Sequence, residues 1–182
     1  MKRTLLFFAL ALLTTSVLLT GCKKDENPAD GGSGGGNTQT GAGTMSAKID
    51  GQDWSATSIP GSPLPGAYAT YTNNNLTIIG TQLQGTSAST FNITIANVTG
   101  TGDFRLGLAP GAGSFQGIAA YATSAGQAWV TTDTETGTVK ITKLDTQNKI
   151  VSGTFSFRCR AGNNVTPEIR NITDGRFDVK WQ

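Results

Sequence analysis

Val151-Ser152-Gly153-Thr154-Phe155-Ser156-Phe157-Arg158-Cys159-Arg160 decides the fold class. Apolar or small residues alternate strictly with hydroxyl and cationic ones. A period of two belongs to a β-strand, whose side chains point alternately to opposite faces. Val151, Gly153, Phe155, Phe157 and Cys159 therefore share an inward face, and Ser152, Thr154, Ser156, Arg158 and Arg160 an outward one.

The same pattern spreads outward from this stretch. Phe177, Val179 and Trp181 alternate with Arg176, Asp178 and Lys180 after a predicted turn at Asp174-Gly175. Near the start, Asp50-Gly51 joins Met45, Ala47 and Ile49 to Trp54 and Ala56, and Asp-Gly is a strong hairpin signal because the turn requires positive φ. A loop holding Pro60, Pro63 and Pro65 follows, then short runs at 68–71 and 76–83 flanking Asn73-Asn74-Asn75. Phe91, Ile93 and Ile95 mark a further strand, and Phe104, Leu106 and Leu108 another. Residues 118–123 and 127–132 form a hairpin across Ser124-Ala125-Gly126, and Val139 and Ile141 follow a turn at 133–137. No helical period competes anywhere. The expected fold is all-β and antiparallel, of about ten to twelve short strands at the spacing of a sandwich or barrel. Alternation does not reveal strand pairing, so a β-sandwich and a flattened meander barrel both fit.

The N-terminus carries an address. Lys2 and Arg3 precede an apolar run from Leu5 to Leu19, the layout of a secretory signal peptide. The run is too short and interrupted for a transmembrane helix, which needs about 20 apolar residues. Leu19-Thr20-Gly21-Cys22 resembles the bacterial lipobox, in which lipoprotein signal peptidase reads the three residues before a Cys that carries the lipid. That resemblance implies residues 1–21 as signal peptide, a mature chain starting at a lipidated Cys22, and a membrane as the first partner. Residues 22–44 then form a tether, with no large apolar residue before Met45. Its Gly-Ser composition gives the reach of a flexible coil, roughly 25 Å. Lys24-Asp25-Glu26 resembles the Bacteroidetes lipoprotein export signal, which implies an outer-membrane protein exposed at the cell surface. Residues 45–182 make one domain with room for a core.

Three blocks carry a broader resemblance: residues 45–54 (MSAKIDGQDW), 141–157 and 172–179. In this order they are similar to a family of uncharacterised Bacteroidetes lipoproteins with one small all-β domain behind a lipobox signal peptide. The resemblance implies compartment and architecture, and no chemistry.

Composition narrows the chemistry. The chain of 182 residues has no His, which excludes Ser-His-Asp and Cys-His catalysis and His-liganded zinc. Lys and Arg number 14 against 12 acidic residues, so a nucleic-acid partner is not expected. No cofactor or metal is implied. Cys159 reads as a small core residue behind Phe155 and Phe157. Asp50, Asp133, Asp145 and Asp174 sit at predicted turns, and Asp133-Thr134-Glu135 is too sparse for a calcium site. The Gly-rich stretch 110–114 lacks the following helix and Lys of a phosphate loop. Trp54 and Trp181 fall in phase with core residues. Trp129 shares a face with Gln127 and Thr131, opposite Ala128 and Val130. That makes it the best candidate for an exposed ligand contact, for example on a glycan, although an indole this large is commonly buried.

These features predict a non-catalytic lipoprotein whose β-domain binds an envelope protein or glycan, or serves a larger envelope complex. A lipocalin-like carrier is the second reading, with an apolar ligand enclosed by Phe91, Ile93, Phe155 and Phe157. A hydrolase using a carboxylate pair is the third.

Overall fold

Alternation of this kind builds sheet, and the computed structural model, which describes residues 38–107, 116–162 and 168–182, is eleven strands without a helix among those residues. In chain order they are β1 (Thr44–Ile49), β2 (Gln52–Ser55), β3 (Ala67–Thr72), β4 (Asn75–Gln84), β5 (Ser87–Ile95), β6 (Gly102–Leu106), β7 (Gly117–Thr123), β8 (Ala128–Val130), β9 (Gly137–Asp145), β10 (Ile150–Ala161) and β11 (Ile169–Lys180). All pairings between them are antiparallel, in one sheet ordered β2-β1-β11-β10-β8-β7-β5-β4-β3.

The sheet forks at β10. One edge of this strand pairs with β11 along its length, and the other is shared between β9, at 150–157, and β8, at Arg160 and Ala161. β6 adds to β9 and so leaves the meander. The long branch curls into a half-barrel. It brings β3 back to the end of the chain, where Ala69 bridges Trp181 and the Gln182 N–H donates to the Ala69 carbonyl at 3.0 Å. The structure thereby selects a single curled sheet over two packed sheets.

The concave side holds the core. Phe91, Ile93 and Cys159 are fully buried, Phe157 and Phe155 are almost so, and the outward Ser156 and Arg158 are exposed, as alternation requires. Phe91 is the hub: Trp54 meets it edge-on at 4.6 Å, with Tyr121 at 5.1 Å, Phe155 at 5.9 Å and Phe157 at 6.0 Å. Such aromatic pairs add about 0.5–1.5 kcal/mol each beyond area burial. Trp54 and Trp181 are core residues, as their phase predicts.

Two local expectations need correction. Asp50-Gly51 does turn β1 into β2, with positive φ at both residues (51° and 84°). Asp174-Gly175 does not turn the chain. Phe155 pairs with Gly175 and Phe157 with Ile172, so β11 holds one residue more than its partner there, at Asp174 with φ 53°. This β-bulge switches the phase of the strand. It lets Ile172 and Phe177, of opposite parity, both point into the core. Gly175 sits at the bulge because the Phe155 ring lies where its Cβ would be.

Ser152 and Asp178 are the second correction. Parity places them on the outward face, yet they are 0% and 3% exposed. They are cross-strand partners, and the Ser152 hydroxyl donates to Asp178 Oδ1 at 2.8 Å. Residues 38–42 lie over them. The backbone N–H groups of Thr40, Gly41 and Ala42 donate to the Asp178 carboxylate at 3.0, 2.8 and 3.3 Å, joined by the Thr38 hydroxyl. The Lys143 ammonium donates to the Gln39 carbonyl at 2.9 Å. The end of the segment read as tether is thus strapped across β9, β10 and β11. Sequence pattern misses this because the strap uses backbone donors, which carry no residue signature.

Candidate functional site

Antiparallel order gathers the β1–β2, β4–β5 and β7–β8 turns at one end of the half-barrel. A cleft of about 450 Å³ opens between them, walled by Gln52 and Asp53 of β2, Gln82 and Gln84 of β4, Tyr121 and Thr123 of β7, Gln127 beside β8, and Arg170 of β11. A second groove of about 350 Å³ shares Gln82, Gln84, Tyr121, Thr123 and Gln127 with it and extends toward Ser87 and Ser124. The two are one polar depression, within the roughly 300–1,000 Å³ range of small-ligand sites.

Trp54 and Trp129 reach this depression from the core. The Trp54 indole N–H donates to Ser89 Oγ at 2.8 Å, pinning β2 across the barrel to β5. Trp129 is only 1% exposed, so the expectation of an exposed aromatic is overturned. The face it shares with Thr131 is the inward one, and Ala128 is the exposed neighbour. Tyr121 stacks on Trp129 at 5.5 Å from one side, and the Arg170 guanidinium lies 5.0 Å from the indole centroid. The Trp129 Nε1–H is buried without a hydrogen-bond partner, as is the Thr123 hydroxyl. An unmet buried polar group costs on the order of 1–3 kcal/mol.

The charges at the cleft are mutually bound. Arg170 donates to Asp50 Oδ2 at 2.9 Å and pairs with Glu168, while the Asn171 N–H donates to Asp50 Oδ1 at 2.8 Å. Partial burial works to raise the Asp50 pKa, but the hydrogen bonds from Asn171 and Arg170 outweigh it and hold the carboxyl below its ordinary value. The Asp50 bond in turn raises Arg170. Asp50 is therefore a fixed carboxylate. Asp53 is the second acid at the cleft, and it is exposed.

The other candidate residues lie elsewhere. Burial pushes the Cys159 thiol up to about 12, reinforced by the Asp50 charge. Arg158 and Arg160 leave the opposite face of β10 to pair with Glu135 at 3.3 and 3.4 Å. Glu135 is thereby buried and committed to arginines. Leu19, Thr20, Gly21, Cys22, Lys24, Asp25 and Glu26 lie outside the described residues, as does the Gly-rich stretch 110–114. Sequence reasoning missed Gln82, Gln84 and Gln127. Their one signal is position beside hairpin turns, and only the strand order shows that those turns meet.

A family model, the domain of unknown function DUF6252, matches residues 42–179. The chain belongs to this family. The DUF6252 match includes every described residue that walls the cleft, and Ala42, Ser152 and Asp178 of the strap contacts. No curated protein and no solved structure matches the chain.

Proposed function

We propose that this protein is a non-catalytic lipoprotein of the outer membrane, displayed at the cell surface, that binds a partner through the open end of its half-barrel. The observation that carries the binding half is the cleft. Its walls stand on paired strands and short hairpins, so the backbone that carries its hydrogen-bonding side chains is ordered before a ligand arrives, which lowers the cost of binding. The anchoring half rests on the signal segment, the lipobox-like Leu19-Thr20-Gly21-Cys22, and the similarity to Bacteroidetes lipoproteins.

The carrier reading has less support. Phe91, Ile93, Phe155 and Phe157 are at most 4% exposed and pack on one another, filling the space an apolar ligand would need. For a hydrolase, the cleft does bring Asp50 and Asp53 together. A general acid must hold a proton at working pH. The bonds from Arg170 and Asn171 favour the opposite state in Asp50.

Labelled fatty acid and protease shaving of intact cells test the anchoring half. Cys22→Ala should abolish the label. The wild type should be cut on intact cells, and replacing Lys24, Asp25 and Glu26 by Ala should protect it. Label on Cys22→Ala, or a protected wild type, contradicts the proposal. Crosslinking on intact cells and pull-down test the binding half: capture should depend on Gln82 and Gln127, and capture indifferent to them contradicts it.

A further inference from the structure

We infer that the cleft binds an uncharged saccharide chain, held by hydrogen bonds from its glutamine amides. This rests on the binding-domain reading above and names the ligand class.

The lining chemistry selects the ligand. Gln82, Gln84 and Gln127 each present a donor and an acceptor on one rigid amide. Neighbouring sugar hydroxyls, each able to donate and accept, match that pair. Trp129 and Thr123 belong to the same wall. An apolar ligand would strip water from the amides without replacing its hydrogen bonds.

Charge disfavours the acidic alternatives. A phosphate, uronate or nucleic-acid ligand requires a cation with free donors. Among the described residues lining the cleft the cation is Arg170, and it already serves Asp50 and Glu168. The exposed Asp53 carboxylate would repel an anion further. The two grooves run into each other through Gln82, Gln84 and Gln127, which suits a short chain better than one ring.

The test uses the full chain in a detergent without a sugar headgroup. Neutral hexose and N-acetylhexosamine oligosaccharides, a uronate oligosaccharide and a fatty acid are titrated while indole fluorescence is followed. A neutral oligosaccharide should change the emission and saturate. Gln82→Ala and Gln127→Ala should each weaken it about tenfold, as expected for loss of one hydrogen bond to the ligand, while leaving the unfolding midpoint in place. Asn148→Ala, in the β9–β10 turn at the opposite end, should bind as the wild type does. Tighter binding of the uronate or the fatty acid overturns the inference, as does equal affinity in all three variants. If no neutral oligosaccharide binds while capture on intact cells still depends on Gln82 and Gln127, the saccharide inference fails and the binding-domain reading stands. If both are lost, both fail.

Discussion

Replacing Asp178 by Asn should destabilise the domain at neutral pH and hardly at all in acid. The wild-type carboxylate collects the Ser152 hydroxyl, the Thr38 hydroxyl and three backbone N–H groups of the strap. Burial alone would raise its pKa; these donors, led by Thr38 and Ser152, reverse that and lower it from 3.8 to about 2. At 1.36 kcal/mol per unit, the ionised form gains roughly 2–2.5 kcal/mol from its native surroundings. The folded pKa is the depressed one. The contribution is therefore complete above the unfolded value near 4 and is lost as pH falls from there toward 2. An Asn keeps the shape but has one acceptor oxygen and no charge, so it cannot serve the donors on both sides. Urea unfolding of wild type and variant at pH 7, 4 and 2 measures the difference. It should be about 2–3 kcal/mol at pH 7 and below about 1 kcal/mol at pH 2. A penalty that is the same at all three pH values would show that the charge does not hold the strap, and that residues 38–42 lie over Asp178 without stabilising it.

Further outcomes follow from the core. Phe157→Ala should cost about 3–5 kcal/mol in the same assay, whereas Ser156→Ala, one residue away on the exposed face, should stay within about 0.5 kcal/mol. Gly175→Ala forces a Cβ against the Phe155 ring and carbonyl and should cost about 1–3 kcal/mol through overpacking; an unchanged midpoint would mean that the bulge relaxes freely. Cys159 should resist iodoacetamide in the native protein at pH 8 and react once unfolded, read by intact mass; fast native alkylation would contradict its burial.

The period of two made the fold class legible. It marked part of every strand because a half-buried sheet cannot hide its alternation, and it placed Phe155, Phe157 and Cys159 on the correct face. It failed where strand geometry departs from the ideal. One extra residue at Asp174 reverses parity, and Asp-Gly serves a bulge as well as a turn. Asp178 and Ser152 looked outward because the strap that covers them has no large apolar residue to announce it. At the cleft, Trp129 misled because its companions Gln127 and Thr131 are polar, while its burial comes from Tyr121 on the neighbouring β7 and Arg170 on β11. Glutamines near three turns carry no message until antiparallel order brings those turns together.

The central claim is that this domain binds through the open end of the half-barrel. A photo-crosslinking residue placed at position 127 at the cleft, or at position 148 in the β9–β10 turn, tests it on intact cells. The account predicts that irradiation yields a discrete adduct from position 127 and none from position 148. Adducts of equal yield from both positions, or from position 148 alone, would contradict it.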